Sequence, residues 1–225
     1  MVGGHSSVSL GAGISSLWWG SSASHLLSSP LSPVTAVLPS AIRNNIPAVG
    51  GGWRIYAVNP PFPRFSETTS ELRIDGLVER PQVLSYAQLR ALPRADQVSD
   101  FHCVTGWSVP GVRWSGVRFA DLLARAGPLP SVEALRFVSA ERPYVDSLTL
   151  EQLSRAPDAM LAYLMDGRPL TAAHGAPARV VMPQMYGYKG VKWVSRITVT
   201  DKISDGYWER RGYDRNAWVG RSNGV

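Results

Sequence analysis

The stretch Asp100-Phe101-His102-Cys103-Val104-Thr105-Gly106-Trp107-Ser108 carries the one cysteine in the chain. It reads as a strand running into an irregular loop, because Gly106 and the pair Pro110-Gly111 follow closely, and such loops let backbone approach a ligand. A lone cysteine is most often a small buried hydrophobe. Here His102 is its neighbour, and Trp107 and Trp114 could wall a cavity. A thiolate in that setting suits a soft metal ion and would equally serve as a nucleophile. The residues of the stretch leave both roles open.

Outward from it, composition narrows the classes. The chain has 225 residues, with 23 Lys plus Arg against 17 Asp plus Glu, a formal charge of +6. Apolar residues at 44% and charged residues at 18% can build a core, which excludes a wholly disordered chain. One cysteine excludes an intramolecular disulfide framework and an all-cysteine zinc or iron–sulfur site. The basic balance favours an anionic partner without choosing among phosphate, nucleic acid and membrane surface. No Lys, Arg, Asp or Glu precedes Arg43, and residues 1–49 read as a low-complexity, disordered leader. Its most apolar part, 10–27, is broken by serines and His25 and falls short of the roughly 20 apolar residues of a membrane span. It also lacks a basic n-region and an arginine pair, so neither a secretory nor a twin-arginine signal is legible.

Residues 50–225 read as one folded domain, with Gly50-Gly51-Gly52 as a hinge. Strands are expected at 72–78, 134–138, 179–182 and 194–200. Short helices are expected at 85–92, with Ser85 as N-cap and Pro93 as stop, and at 117–126 before Gly127-Pro128. Short strands outnumber helices without strict βαβ alternation, so the class is α+β with mixed sheets. A second constellation runs from Asp166 through His174-Gly175-Ala176-Pro177-Ala178-Arg179 to Tyr186-Gly187-Tyr188-Lys189-Gly190-Val191-Lys192-Trp193. Cationic side chains beside glycines suit a phosphate or another compact anion. A solvated basic loop explains the spacing equally well. Residues 206–221 interleave Trp, Tyr and Arg, which fits either an arm wrapping the domain over Trp208 and Trp218 or a base-stacking surface.

Taken jointly, the 101–107 stretch, Trp114-Ser115-Gly116-Val117 with Leu122-Leu123, and the His174-to-Trp193 run resemble the molybdopterin-binding oxidoreductase family, of the sulfite-oxidase-type fold. The resemblance covers roughly residues 53–218. It implies a molybdopterin cofactor whose dithiolene supplies the other sulfur ligands, so that Cys103 as the one protein thiolate on molybdenum suffices. It places Asn59, Ser139, His174, Arg179, Lys189, Gly190, Val191 and Lys192 on the pterin and its phosphate. It makes Trp107, Tyr144 and Asp146 candidates for the substrate mouth.

The family resemblance implies two-electron oxygen-atom transfer on a small oxo substrate, with an electron-transfer partner such as a membrane cytochrome or quinol-linked protein, and no nucleic acid. It favours a periplasmic or membrane-associated setting over the cytoplasm. Sulfite oxidases flank the early asparagine with arginine and histidine, where this chain has Val58 and Pro60. Bacterial sulfoxide-reductase catalytic subunits place a tryptophan four residues after the metal cysteine, as Trp107 stands here. An apolar site holds a dianion poorly, so reduction of a small S- or N-oxide is expected, with sulfite oxidation as the alternative. An arginine from a distant segment, such as Arg113 or Arg142, could restore the anion site. A cofactor-free anion or nucleic-acid binding module is the rival from another class.

Overall fold

The computed structural model describes residues 48–49 and 52–221. The expected leader up to residue 47 and the first two glycines of the hinge lie outside the described residues. Ala48–Val49 (β1) pairs antiparallel with Trp53–Arg54 (β2), so the folded body begins two residues earlier than expected.

Two five-stranded sheets make the body. The first contains Glu71–Gly76 (β3), Gln82–Ser85 (β4), Ala134–Ser139 (β7), Val145–Thr149 (β8) and Val194–Thr200 (β12), in the order β4-β3-β12-β7-β8. Its β3–β12 pair is parallel and its other pairs are antiparallel, so the sheet is mixed. Period-two alternation puts Leu72 and Ile74 of β3 in the core and Glu71 and Arg73 in solvent. The second sheet contains Ala95–Cys103 (β5), Trp107–Arg118 (β6), Met160–Met165 (β9), Arg168–Pro169 (β10) and Arg179–Val181 (β11). It runs β10-β9-β6-β5, with β11 also on β9.

Helix Tyr86–Arg90 (α1) starts on a capping box: the Ser85 hydroxyl accepts from Gln88 N, and the Gln88 side chain accepts from Ser85 N. Helix Phe119–Ala126 (α2) begins two residues later than expected. Val117 is instead a fully buried residue of β6 paired with Leu161, where a β-branched side chain packs well. Gly127 ends α2 in the left-handed region, at φ 66°. Leu150–Arg155 (α3) has a second capping box, from Thr149 and Gln152.

The largest departure from expectation is the hairpin around the cysteine. Pro110-Gly111 does not extend a loop; both residues lie inside the twelve-residue β6. The β5–β6 register shifts between Ser99 and Phe101, opposite this pair, and Gly111 N donates to the Asp100 carboxylate at 2.9 Å. A bulge tolerates a proline that cannot donate to the ladder. The turn is therefore short, just Val104 to Gly106, and it presents Cys103 and Trp107 as direct cross-strand partners. The C-terminal arm returns over the first sheet through Tyr207 N to Val145 O, and a bridge joins Met185 to Trp218. Trp208 is buried and Trp218 half-buried.

Candidate active site

A cleft enclosing about 820 Å³ of empty space, its open mouth included, collects residues from five separated segments. Its lining comes from 53–58, the β5–β6 turn, the loop after β7, the run from Arg179 to Trp193, and the C-terminal arm.

At one place on this wall Cys103 ends β5, with Sγ 3.1 Å from the Thr105 hydroxyl; that hydroxyl is also 3.1 Å from the Tyr56 phenol. Burial pushes the Cys103 thiol up. Tyr56 is raised by burial and then by Cys103, and Tyr213 by burial, then Cys103, then Tyr56. The three groups therefore share one enclosed patch. Trp107 adds its ring to the wall, with its indole N–H turned toward Tyr56 and Cys103. Arg54 also lines the cleft, and its charge reaches both Cys103 and Tyr56.

The basic part of the wall is electrostatically one-sided. Arg179 is 4% exposed; its guanidinium lies over the rings of Phe101 and Trp114, at 5.5 and 5.2 Å, and its Nε has no partner among the described residues. Burial draws it down to about 10. The Lys192 ammonium meets the carbonyls of Tyr56 and Ala173, at 2.7 and 3.4 Å. Burial and then Arg179 push Lys192 down to about 7, against the pull of Glu141. His174 packs edge-on against Trp53, its Nδ1 has no partner, and burial followed by Arg179 and Lys192 takes it to about 4. One buried and one half-buried cation beside a single buried carboxylate leave a net positive charge, a site for an anion.

Of the residues singled out from sequence, Cys103, Trp107, Ser139, Tyr144, Arg179, Gly190 and Lys192 all line this cleft. Ser139 donates to Lys192 O at 2.8 Å, and Tyr144 to Tyr188 O at 2.6 Å. Others are placed differently. The Asn59 side chain donates to Arg142 O at 3.0 Å and does not line the cleft. His174 stands behind Arg179, its carbonyl 3.4 Å from the guanidinium, and Val191 is fully buried with backbone bonds to Lys189 and Val180.

Neither Lys189 nor Asp146 lines the cleft. Both are 1% exposed and bonded to each other at 2.5 Å, because an ammonium held out of water needs a counter-ion. Arg113 pairs loosely with Asp166, and neither Arg113 nor Arg142 lines the cleft. Sequence reading missed Arg54, Tyr56, Thr105, Glu141 and Tyr213. Tyr56 could have been found from its place three residues before Asn59. Glu141 and Tyr213 carried no local signal.

The model of the oxidoreductase molybdopterin binding domain matches residues 59–208. The chain belongs to the molybdopterin-binding oxidoreductase family. The uncharacterized oxidoreductase YuiH of Bacillus subtilis is 38% identical over 152 residues, covering 67% of this chain and 76% of that protein. The Arabidopsis thaliana sulfite oxidase is 30% identical over 188 residues, covering 68% and 48%. The protein-methionine-sulfoxide reductase catalytic subunit MsrP of Gluconobacter oxydans is 31% identical over 169 residues, covering 68% and 54%. The chain thus spans about three quarters of YuiH and about half of the other two. The crystal structure of the sulfane dehydrogenase SoxCD from Paracoccus pantotrophus superposes with a TM-score of 0.57 at 30% identity, over 63% of this chain and 40% of that one.

The enzyme is a molybdopterin-dependent oxidoreductase, and its cleft fits that cofactor. Among the described residues no three His, Cys, Asp or Glu side chains converge on a metal position. The Arg179 Nε, without a partner among the described residues, and the half-buried Lys192 suit the cofactor's phosphate. Glycines let the backbone approach closely along this wall. A Cβ on Gly175 would stand 2.8 Å from that of Lys192, and one on Gly190 would lie 3.1 Å from the carbonyl oxygens of Gly187 and Val180.

Proposed function

We propose that the enzyme reduces a small neutral S-oxide or N-oxide, consuming two electrons and two protons to release the reduced substrate and water. The observation that carries this reading is the lining beside Cys103. Val58 and Trp107 are on the cleft wall, while Pro60 is not part of it. A neutral oxide loses little hydration on meeting such walls, whereas a dianion needs cations there. The likeness to MsrP, by name a methionine-sulfoxide reductase, supports the same direction.

When bound, the molybdenum–pterin group supplies the two-electron oxygen-atom transfer. Cys103 would give its thiolate to the metal, and since burial holds the thiol protonated, binding must displace that proton. Arg179, Lys192 and the backbone at Gly190 would hold the phosphate. The Thr105 hydroxyl, between Sγ and the Tyr56 phenol, keeps those two groups in register. Trp53, Trp107, Trp208 and Tyr213 wall the site against bulk water.

Electrons would come from a separate redox partner, a membrane cytochrome or a quinol-linked protein, in a periplasmic or membrane-associated setting. Among the described residues no helix is long and apolar enough to cross a membrane. Arg54 favours a second reading, sulfite oxidation, because it is a cation on the wall within reach of Cys103. Base stacking by the arm has less support, since Trp208 and Tyr213 are buried in the cleft wall. Steady-state assays of the molybdenum-loaded enzyme with dimethyl sulfoxide, trimethylamine N-oxide and sulfite, using artificial redox dyes, separate the two redox readings. Turnover of the neutral oxides with little sulfite oxidation is expected; efficient sulfite oxidation alone would overturn the proposal.

A further inference from the structure

Lys189, Asp146 and Glu209 form an ion triad that the chemistry of the cleft does not use. The ammonium lies 2.5 Å from Asp146 Oδ1 and 2.7 Å from Glu209 Oε1, and the side chains are 1%, 1% and 3% exposed. Each member is next to, or two residues from, a cleft-lining residue. Lys189 lies between Tyr188 and Gly190, Asp146 two residues after Tyr144, and Glu209 directly after Trp208. One ammonium therefore ties together three segments remote in sequence: the start of β8, the basic loop and the C-terminal arm. Stacking of Tyr144 on Tyr207, with centroids 5.5 Å apart, follows the same seam. The arm's backbone also presses on both acids. A Cβ on Gly206 would stand 2.4 Å from Glu209 Oε2 and 2.8 Å from Asp146 Cγ.

Two carboxylates against one ammonium leave a net negative charge in a dry place, which is costly unless a proton neutralises it. Asp146 Oδ2 has no hydrogen-bond partner among the described residues, so it can take that proton. Burial raises Asp146 to about 7, with Lys189 opposing and Glu209 reinforcing the rise. The groups facing it are Lys189, Glu209, the Ser147 backbone N–H and, across the seam, Tyr144.

We propose that this triad is a latch. It positions the C-terminal arm so that Trp208 and Tyr213 form the outer wall of the cleft, and it holds tightest when the Asp146 carboxyl carries a proton. The importance of the wall rests on the functional reading above, but the seating of the arm does not.

Trypsin reads that seating directly. The Arg211 guanidinium lies 3.6 Å over the Tyr207 ring and donates to Tyr207 O, and Arg210 donates to Asp205 O, so the seated arm ties up both basic side chains. Cleavage after Arg210 and Arg211 in the holoenzyme would be followed by mass spectrometry, as a ratio to an unstructured reference peptide. The wild-type ratio is expected to rise about tenfold from about pH 6 to about pH 8.5, as Asp146 ionises. Glu209→Gln leaves one carboxylate for one ammonium and should flatten that dependence. Lys189→Met leaves two acids without a cation and should raise the ratio at least about tenfold at every pH, with KM for dimethyl sulfoxide rising more than kcat per molybdenum falls. Lys189→Arg should restore seating.

A ratio independent of pH in the wild type, or the same pH dependence in Glu209→Gln, would overturn the latch. If Lys189→Met does not fold, the Glu209→Gln comparison decides alone. Failure of S-oxide turnover would strike the proposed function and leave the protease readout intact.

Discussion

Replacing Arg179 with methionine should move stability and cofactor binding in opposite directions. The guanidinium is 4% exposed, faces two aromatic rings and His174 O, and has no carboxylate partner among its described contacts. Its fall to about 10 corresponds to roughly 3 kcal/mol against the charged form. Methionine has comparable length, leaves no charge to desolvate, and gives up about 1 kcal/mol of cation–π attraction. The cofactor-free variant should therefore unfold with a free energy about 1–2 kcal/mol higher than wild type, as when other buried ions are replaced by apolar residues. Cofactor binding should weaken by about 1.5–3 kcal/mol, the worth of a charge-assisted hydrogen bond, or roughly ten- to a hundredfold in Kd.

Two measurements test this: urea unfolding of protein made in a host unable to synthesise the pterin, and the molybdenum content of protein made in a competent one. Lower stability together with full molybdenum occupancy would refute the assignment of Arg179 as an uncompensated anion receptor.

Two further outcomes follow from the same wall. Lys192 titrates at about 7 in the cofactor-free protein, and a bound phosphate must raise that value. The complex then holds a proton the free site loses, so cofactor affinity is full below about pH 7 and falls by up to about tenfold per pH unit above it. Binding titrations of wild type against Lys192→Arg should show the dependence in the former and not the latter. In Gly187→Ala the new Cβ would stand 2.3 Å from Phe101 Cζ; the ring must shift, costing about 1–3 kcal/mol, visible as a lower Tm.

Sequence made some of this architecture legible for identifiable physical reasons. The strand 194–200 is rich in β-branched residues, and the Ser85–Gln88 box is local chemistry, so both were readable without tertiary context. The Cys103 turn and the Arg179–Lys192 wall were likewise legible, because glycines and cations cluster there in sequence. Pro110-Gly111 misled, since a bulge opposite Asp100 lets the strand continue through residues that ordinarily break one. Lys189 and Asp146 misled for another reason. A lysine beside a phosphate loop and a carboxylate near a metal loop look functional, and no local pattern shows that Lys189 pairs with both Asp146 and Glu209, twenty residues beyond it. Tyr213 reaches the cleft because the arm folds back, which no local pattern encodes.

The central claim is that Cys103 supplies the one protein sulfur to molybdenum, and X-ray absorption at the molybdenum edge tests it most directly. The wild-type enzyme and Cys103→Ser, each matched for metal content, would be compared in the same oxidation state. A hydroxyl is a hard ligand where the site calls for a soft one, so the variant should show one sulfur neighbour fewer, with S-oxide turnover abolished and the fold retained. An unchanged sulfur count in a metal-loaded Cys103→Ser enzyme would contradict the account.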